Sequence, residues 1–221
     1  APGSMETATA IAGVLRQATA YADFAAAARF FRADIAALQN APDAASAVMF
    51  ARAALATGDA QLGARLVGSA RQAGAYEAAL APLDAALVAL TGARNEQGSM
   101  AMQRRIDRAT PQQARAAARD VAILAALGAP LEGGVQTFLL TNAPQGGARA
   151  DGGAMLALVS AVERGAMGEG ALLAVVAAGE GGPARLDTDS VAQIIRALRG
   201  LRLEDEARRI AAEAILAGAP S

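Results

Sequence analysis

Helix-breaking residues recur along this chain in two interleaved series of similar period. In the first series a glycine follows an apolar run at intervals of 34, 36, 37 and 35 residues: Gly58, Gly92, Gly128, Gly165 and Gly200. The second series lies between these positions, at intervals of 32, 37, 33, 39 and 37 residues: Pro42, Gly74, Pro111, Pro144, Pro183 and Pro220. Glycine is favoured just past a helix, and proline marks a stop or a start. The two series therefore predict a unit of two helices, each followed by a turn.

The composition favours helix throughout. Hydrophobic residues make up 54% of the 221 residues, but aromatic residues only 3%. Alanine, which dominates the chain, is the best helix former, and leucine and arginine rank just behind it. The β-branched and aromatic residues that favour strands are sparse. We therefore expect an all-α protein, long enough for one large domain or a continuous solenoid.

Capping signals and apolar faces agree with the breaks. Thr110 precedes Pro111, and Gln113 stands where a capping box needs it. Ser190 and Gln193 have the same spacing. The residues after Ser190 form one apolar helix face at i, i+3, i+4 and i+7: Val191, Ile194, Ile195 and Leu198.

The predicted helices follow from these signals. Asp59 is expected to cap the helix that carries the stripe Leu62, Leu66 and Ala70. Pro82 either kinks its helix or is the first helical residue, and residues 141–153 form a long loop. The predicted helices are 5–22, 24–39, 43–57, 59–73, 75–91, 95–109, 111–127, 131–141, 151–164, 167–179, 187–199 and 203–217.

Small residues recur at fixed offsets after two of the glycines. Five, nine and twelve residues after Gly58 and Gly165 come Gly63, Val67 and Ala70, and Gly170, Ala174 and Ala177; near the C-terminus Ala207, Ala211 and Ala214 keep the last two spacings. This pattern resembles the tetratricopeptide (TPR)-like helical-repeat superfamily, although that family's two aromatic positions are not kept. The resemblance implies a right-handed α-solenoid of about five antiparallel hairpins with 34–37-residue repeats, preceded by an N-terminal helical pair.

The start of the chain leaves the compartment open. We interpret Ala1–Ser4 as an expression scar. If Met5 is the native start, the expected compartment is the cytoplasm; if the chain was trimmed from an exported precursor, it is the periplasm. No run approaches the ~18 uncharged apolar residues of a membrane span; the strongest is Ala171 to Ala178. Every basic residue is arginine, which is typical of a high-GC bacterial genome. The expected division is 1–4 scar, 5–40 N-terminal helical pair or cap, 41–217 TPR-like repeats and 218–221 tail.

The chain lacks most groups that perform catalysis. It has no His and no Cys, and no Lys, so the usual bases, thiolate nucleophiles, Schiff-base amines and imidazole ligands are missing. Two carboxylate clusters, Asp187 with Asp189 and residues 204–206, fit the first turns of helices, where acids are stabilising. The glycine-rich segments 165–170 and 179–182 lack the lysine of a P-loop and are expected to be turns. We expect no enzyme, no catalytic residue, no cofactor and no metal site.

One cluster of arginines is the residue-level candidate for partner binding. Its members are spaced so that two pairs, each four residues apart, share helix faces: Arg104, Arg105, Arg108, Arg115 and Arg119. Across a hairpin the pairs could line one groove and bind carboxylates of a partner. The alternative, which we favour, is a solvated face partly neutralised by Asp107 and Asp120.

The expected function is recognition. Stacked hairpins leave a long concave surface, which predicts a non-catalytic scaffold that binds another protein or peptide. The alternative is a helical accessory domain of a larger enzyme or cell-envelope assembly. An enzyme would need a deep pocket enclosing two carboxylates of raised pKa. With 20 basic against 21 acidic residues, a nucleic-acid partner is not expected.

Three of the five phenylalanines lie near the N-terminus, at Phe24, Phe30 and Phe31. They either cap the end of the helical stack or form a contact between two copies of the chain. Phe30 and Phe31 are adjacent, so both cannot face one seam. We favour the capping role and keep a homo-oligomer as the alternative.

Overall fold

The computed structural model describes residues 4–38, 41, 43–93 and 95–218. These residues are all-α and contain no strand; a single isolated bridge pairs Ala148 with Leu186. The helices are α1 Met5–Gln17, α2 Tyr21–Phe30, α3 Arg32–Ala37, α4 Ala44–Ala56, α5 Ala60–Gln72, α6 Glu77–Thr91, α7 Asn95–Asp107, a 3-10 turn Pro111–Gln113, α8 Ala114–Ala126, α9 Gly133–Thr141, α10 Gly152–Glu163, α11 Met167–Ala178, α12 Thr188–Gly200 and α13 Glu204–Gly218. From α4 onward each predicted helix lies within about two residues of an observed one, apart from the 3-10 start before α8.

The N-terminal region departs from the prediction of two helices. It forms three, because the chain leaves the helical region at Ala18 and again at Phe31. Neither break is marked by glycine or proline, and α2 begins at Tyr21 without a side-chain cap. Together with α4, these three helices enclose a small core of their own, which contains the buried Phe24. Phe24 is thus buried within the chain, whereas Phe30 is 80% exposed; the choice between an end cap and a contact between two copies stays a prediction.

The first glycine series ends helices as predicted at four of its five positions. The four glycines all have positive φ: Gly58, Gly92, Gly128 and Gly165. At Gly58 the glycine N–H donates to Leu55 O and the next N–H donates to Ala54 O, which is a Schellman motif. The same pair of bonds follows α8 and α10.

At the fifth position of that series the prediction that the glycine ends the helix is wrong. Gly200 is the last residue of α12, and Arg202 adopts the left-handed conformation with φ 63°. The Leu203 N–H then donates to Leu198 O over 2.9 Å, which completes a Schellman motif around an arginine. An L-residue in this region costs about 1–2 kcal/mol relative to the right-handed conformation.

The second series is confirmed where the chain is described. Gly74 ends α5 with φ 82°, and Pro111 begins the 3-10 turn. Pro144 and Pro183 lie in connections between helices, whereas Pro42 and Pro220 are outside the described residues. Pro82 lies inside α6, so it is not the first helical residue.

The caps differ in part from the prediction. Asp59 caps α5 as expected, with its Oδ1 3.0 Å from the Leu62 backbone nitrogen. Thr110 accepts no capping bond, because a 3-10 turn follows it instead of the first turn of an α-helix. The cap of α12 is Asp187, whose Oδ1 accepts the Ser190 N–H over 2.7 Å. The Ser190 hydroxyl instead accepts the N–H of Ala150, so neither predicted capping box forms.

The small residues at the fixed offsets all lie in the core, as do the four apolar residues of the α12 face. Two of the positions need glycine itself. A Cβ at Gly63 would overlap the side chain of Leu55, and a Cβ at Gly170 would overlap Leu201. Their glycines therefore let neighbouring helices approach closely.

Contacts between neighbouring helices build most of the fold, and helices distant along the chain add to them, since α12 packs against α8. Each of the pairs α4–α5, α7–α8 and α10–α11 packs as a hairpin, and α13 packs against α6 and, less extensively, α4 and α8. One main core runs through α4 to α13. The contacts of α13 are additional to nearest-neighbour stacking, so the solenoid arrangement and its number of repeats stay predictions.

Candidate functional site

Arg105 is buried rather than available to a partner. Its side chain is 3% exposed and its Nε donates to Asp120 Oδ2 over 2.7 Å. Asp120, on the adjacent helix α8, is 4% exposed. Burial raises the pKa of Asp120 to about 6, although Arg105 and Arg119 lower it. This pair joins α7 to α8 inside the protein, so Asp120 does neutralise one arginine of the cluster, but in the core and not on a solvated face.

Arg108 belongs to a second, more exposed ion-pair network. Its Nη1 lies 3.0 Å from both Glu77 Oε2 and Asp84 Oδ2 on α6. Arg71 on α5 binds the same two carboxylates. Hydrogen bonding to Arg71 is the main cause that lowers the pKa of Glu77. The network joins α5, α6 and α7 side by side.

Arg119 faces a different part of the molecule. Its Nη1 donates to Leu186 O over 2.9 Å and its Nη2 to Pro183 O over 3.4 Å, so it holds the connection between α11 and α12. Arg104 and Arg115 are exposed. The Nε of Arg104 donates to Met100 O of its own helix over 3.2 Å. Four of the five arginines thus have partners within the chain, and the role of the cluster in binding another protein stays a prediction.

The surface of α11 has an inverted side-chain pattern. Its buried residues are the small Gly170, Ala174 and Ala177, whereas most of its large apolar residues point outward; the exception, Leu173, is half-buried against the main core. Leu172 is 70%, Val175 69% and Val176 59% exposed. A surface helix normally buries its large apolar side chains, so this outward face has no structural role within the described chain.

The neighbouring helix α10 also exposes large apolar side chains. It packs against α11 across a short turn, and its Leu156 and Val159 are 75% and 50% exposed. We call the large apolar residues of this hairpin that are at least 50% exposed the apolar face: Leu156, Val159, Leu172, Val175 and Val176. At the turn, Arg164 and Glu169 form an ion pair of 2.9 Å. Exposed apolar surface, where it is contiguous, marks interaction sites.

A cavity of about 540 Å³ bears on the question of catalysis. Two carboxylates, Glu180 and Glu213, are among the residues that line it. Burial is the main cause that raises the pKa of Glu213, and Arg29 opposes it. Asp187 and residues 204–206 lie at helix starts, as predicted. No group of three or more acidic residues in the described chain could hold a metal ion. The absence of enzymatic activity stays a prediction.

No described helix is long and apolar enough to cross a membrane.

Comparison of the chain with protein-family models, curated proteins and solved structures gave no match. The TPR-like resemblance therefore rests on the glycine spacing and the small residues alone.

The sequence held one signal for the apolar face. The run from Ala171 to Ala178 contains no polar side chain, although a helix of the surface needs a polar face. That run is too short for a membrane span. It instead indicates a helix with apolar side chains on both its buried and its exposed sides, which agrees with the structure.

Proposed function

We propose that the protein is a non-catalytic helical-repeat scaffold, related in architecture to TPR-like proteins, that binds another protein or peptide. The observation that carries the proposal is the apolar face of the α10–α11 hairpin. The fully buried side chains of α11 are small, and its large Leu172, Val175 and Val176 are exposed. Burying apolar surface is the dominant favourable contribution to most protein association.

The repeat assignment has two further supports. Schellman turns end α4, α8 and α10 at Gly58, Gly128 and Gly165, which are two periods and one period of the predicted repeat apart. The small residues at the TPR-like offsets are buried. In more detail, we propose that the helices form a right-handed solenoid of about five hairpins and that the protein is bacterial.

The test is affinity capture from lysate of the source organism, with cross-linking and mass spectrometry. We compare the wild type with a variant that carries Leu172→Glu and Val176→Glu. The matched control carries Gln61→Glu and Gln72→Glu, which add the same charge at exposed positions of α5. We expect a partner that cross-links to the hairpin in the wild type and control, and is lost from the first variant.

Two results would contradict the proposal. One is a partner retained equally by the variant with two glutamates on α11. The other is the absence of any enriched protein. Because the substituted side chains are exposed, each variant should keep its helical circular dichroism and its stability within about 0.5 kcal/mol per site.

The same experiment separates two uses of the face. If the cross-links join two copies of the chain and light scattering gives a dimer, the scaffold acts as a homo-oligomer. If they join the hairpin to a component of a larger enzyme or cell-envelope assembly, the accessory-domain alternative is favoured. The exposed apolar surface is the observation that motivates both.

A further inference from the structure

Arg52 is a buried cation for which the described residues supply no counter-ion. Its residue is 9% exposed, and no described carboxylate forms an ion pair with it. The guanidinium donates from Nη2 to Leu216 O over 2.8 Å and lies 4.6 Å from the centroid of the Phe24 ring. Its Nε is buried and has no hydrogen-bond partner in the described chain. An unpaired buried charge is costly, and the other deeply buried arginine, Arg105, has its carboxylate.

Arg52 lines a cavity of about 670 Å³ between α1, α2, α4 and the end of α13. This volume lies within the range of small-molecule sites. Most of the lining is apolar, and its larger members are Leu15, Phe24, Val48 and Met49. The cavity thus combines mostly apolar walls with the buried guanidinium of Arg52, which is the arrangement that suits an amphipathic anion.

Two other polar residues of the cavity clarify its charge. Arg16 donates to the Ser46 hydroxyl over 2.7 Å and lies 3.6 Å from Asp43, so its charge is already balanced. Tyr21 also lines the cavity, and burial raises the pKa of its phenol. The phenol is therefore neutral and able to donate a hydrogen bond. Arg52 is left as the one lining cation without a carboxylate partner in the described chain.

We propose that this cavity binds a monocarboxylate with an unbranched hydrocarbon chain. The carboxylate pairs with the Arg52 guanidinium, and the hydrocarbon chain lies along Leu15, Val48 and Met49. A single negative charge neutralises the single unpaired cation, whereas a dianion such as a phosphate monoester would leave excess charge buried. Charge-assisted hydrogen bonds to a guanidinium are among the strongest available to a ligand.

The bond from Arg52 to Leu216 O gives the arginine a structural part as well. It satisfies a carbonyl in the last turn of α13, where a cation is favourable. That bond accounts for one donor of the guanidinium. It explains neither the unpaired Nε nor the apolar cavity beside it, so the ligand site is a separate inference.

Isothermal titration calorimetry with octanoate tests the proposal. We expect saturable binding of one octanoate per chain to the wild type. Octanol, which has the same chain without the charge, and acetate, which has the charge without the chain, should each bind at least about tenfold more weakly. Equal binding of octanol, or no saturable binding of octanoate, would overturn the proposal.

Two substitutions locate the site. Arg52→Gln should weaken octanoate about tenfold or more, and Val48→Phe should block the cavity while leaving the bond from Arg52 to Leu216 in place. Arg115→Gln, an exposed arginine on α8, is the control and should bind as the wild type does. If Arg52→Gln does not fold, octanoate binding to Val48→Phe and octanol binding to the wild type still test the proposal. Undiminished octanoate affinity in folded Val48→Phe would place the ligand elsewhere and refute the site.

Discussion

Removing one member of the Arg105–Asp120 pair should be far more damaging than removing both. The two side chains are 3% and 4% exposed and their Nε–Oδ2 distance is 2.7 Å. Breaking a buried ion pair on one side costs about 3–5 kcal/mol, because the remaining charge is left uncompensated. We therefore expect Asp120→Leu to lower the free energy of unfolding by about 4 kcal/mol at about pH 7.5, where wild-type Asp120 is ionised.

The double variant Arg105→Met with Asp120→Leu provides the comparison. It buries no charge and replaces both side chains by apolar ones of similar size. Its free energy of unfolding should lie within about 1 kcal/mol of the wild type, or exceed it. In the wild type Arg105 Nη1 is buried without a hydrogen-bond partner in the described chain, so the double variant also removes an unsatisfied donor.

Urea unfolding followed by far-UV circular dichroism measures all of these variants. An unchanged slope with denaturant allows the shift in midpoint to be read as a change in stability. Glu169→Gln, which breaks an exposed ion pair with Arg164, is the control and should unfold as the wild type does. A cost below about 1 kcal/mol for Asp120→Leu would refute the reasoning. So would a double variant whose loss of stability equals the sum of the losses caused by Arg105→Met and Asp120→Leu separately.

Three further results are expected from the same assay. Gly63→Ala should lower the free energy of unfolding by about 1–3 kcal/mol, because the new Cβ overlaps Leu55. Gly68→Ala, in the same helix but with open space around the position, should raise the free energy of unfolding by about 0.5–1 kcal/mol. Equal effects of the two substitutions would contradict this reasoning. Arg202→Gly should gain about 0.5–1 kcal/mol by relieving the left-handed backbone, and Arg202→Ala should not. The pKa of Asp120 is about 6 in the folded chain and 3.8 in the unfolded chain, so the stability that this group contributes is complete below about pH 4 and is lost as the pH rises through about 6. The stability of the wild type relative to Asp120→Asn should therefore fall by up to about 3 kcal/mol between pH 4 and 7, and a rise over this range would contradict the assigned pKa.

The helices could be predicted because their ends carry local chemistry. Gly58 and Gly165 are needed where the backbone turns left-handed, and Asp59 caps through its own side chain. The end of α1 at Ala18 could not be predicted, because alanine is a strong helix former and gives no signal that a helix ends. Arg202 was equally hidden, because the bonds of the Schellman turn, and not the propensity of the residue, fix its conformation.

The candidate sites were less accessible to sequence. Helical spacing shows that Arg104 and Arg108 share a face, but it does not show which face is turned inward. Arg105 lies between them on the buried side, and its partner Asp120 is on the next helix. The cavity beside Arg52 depends on α13, whose return to α4 no local pattern predicts. Tertiary contacts between distant segments therefore decide where the charges of this chain lie.

The packing of α13 against α6 has a consequence for how the chain folds during synthesis. Leu80 and Leu83 of α6 are fully buried, and α13, more than 100 residues later, is the helix that packs most extensively against α6. While the ribosome makes the intervening helices, the apolar surface of α6 has no permanent neighbour on that side. Such surface is prone to aggregate or to recruit chaperones until its partner emerges. The last helix therefore acts as the closing step of folding, and translation arrested before residue 204 should leave a loosely packed, protease-sensitive chain.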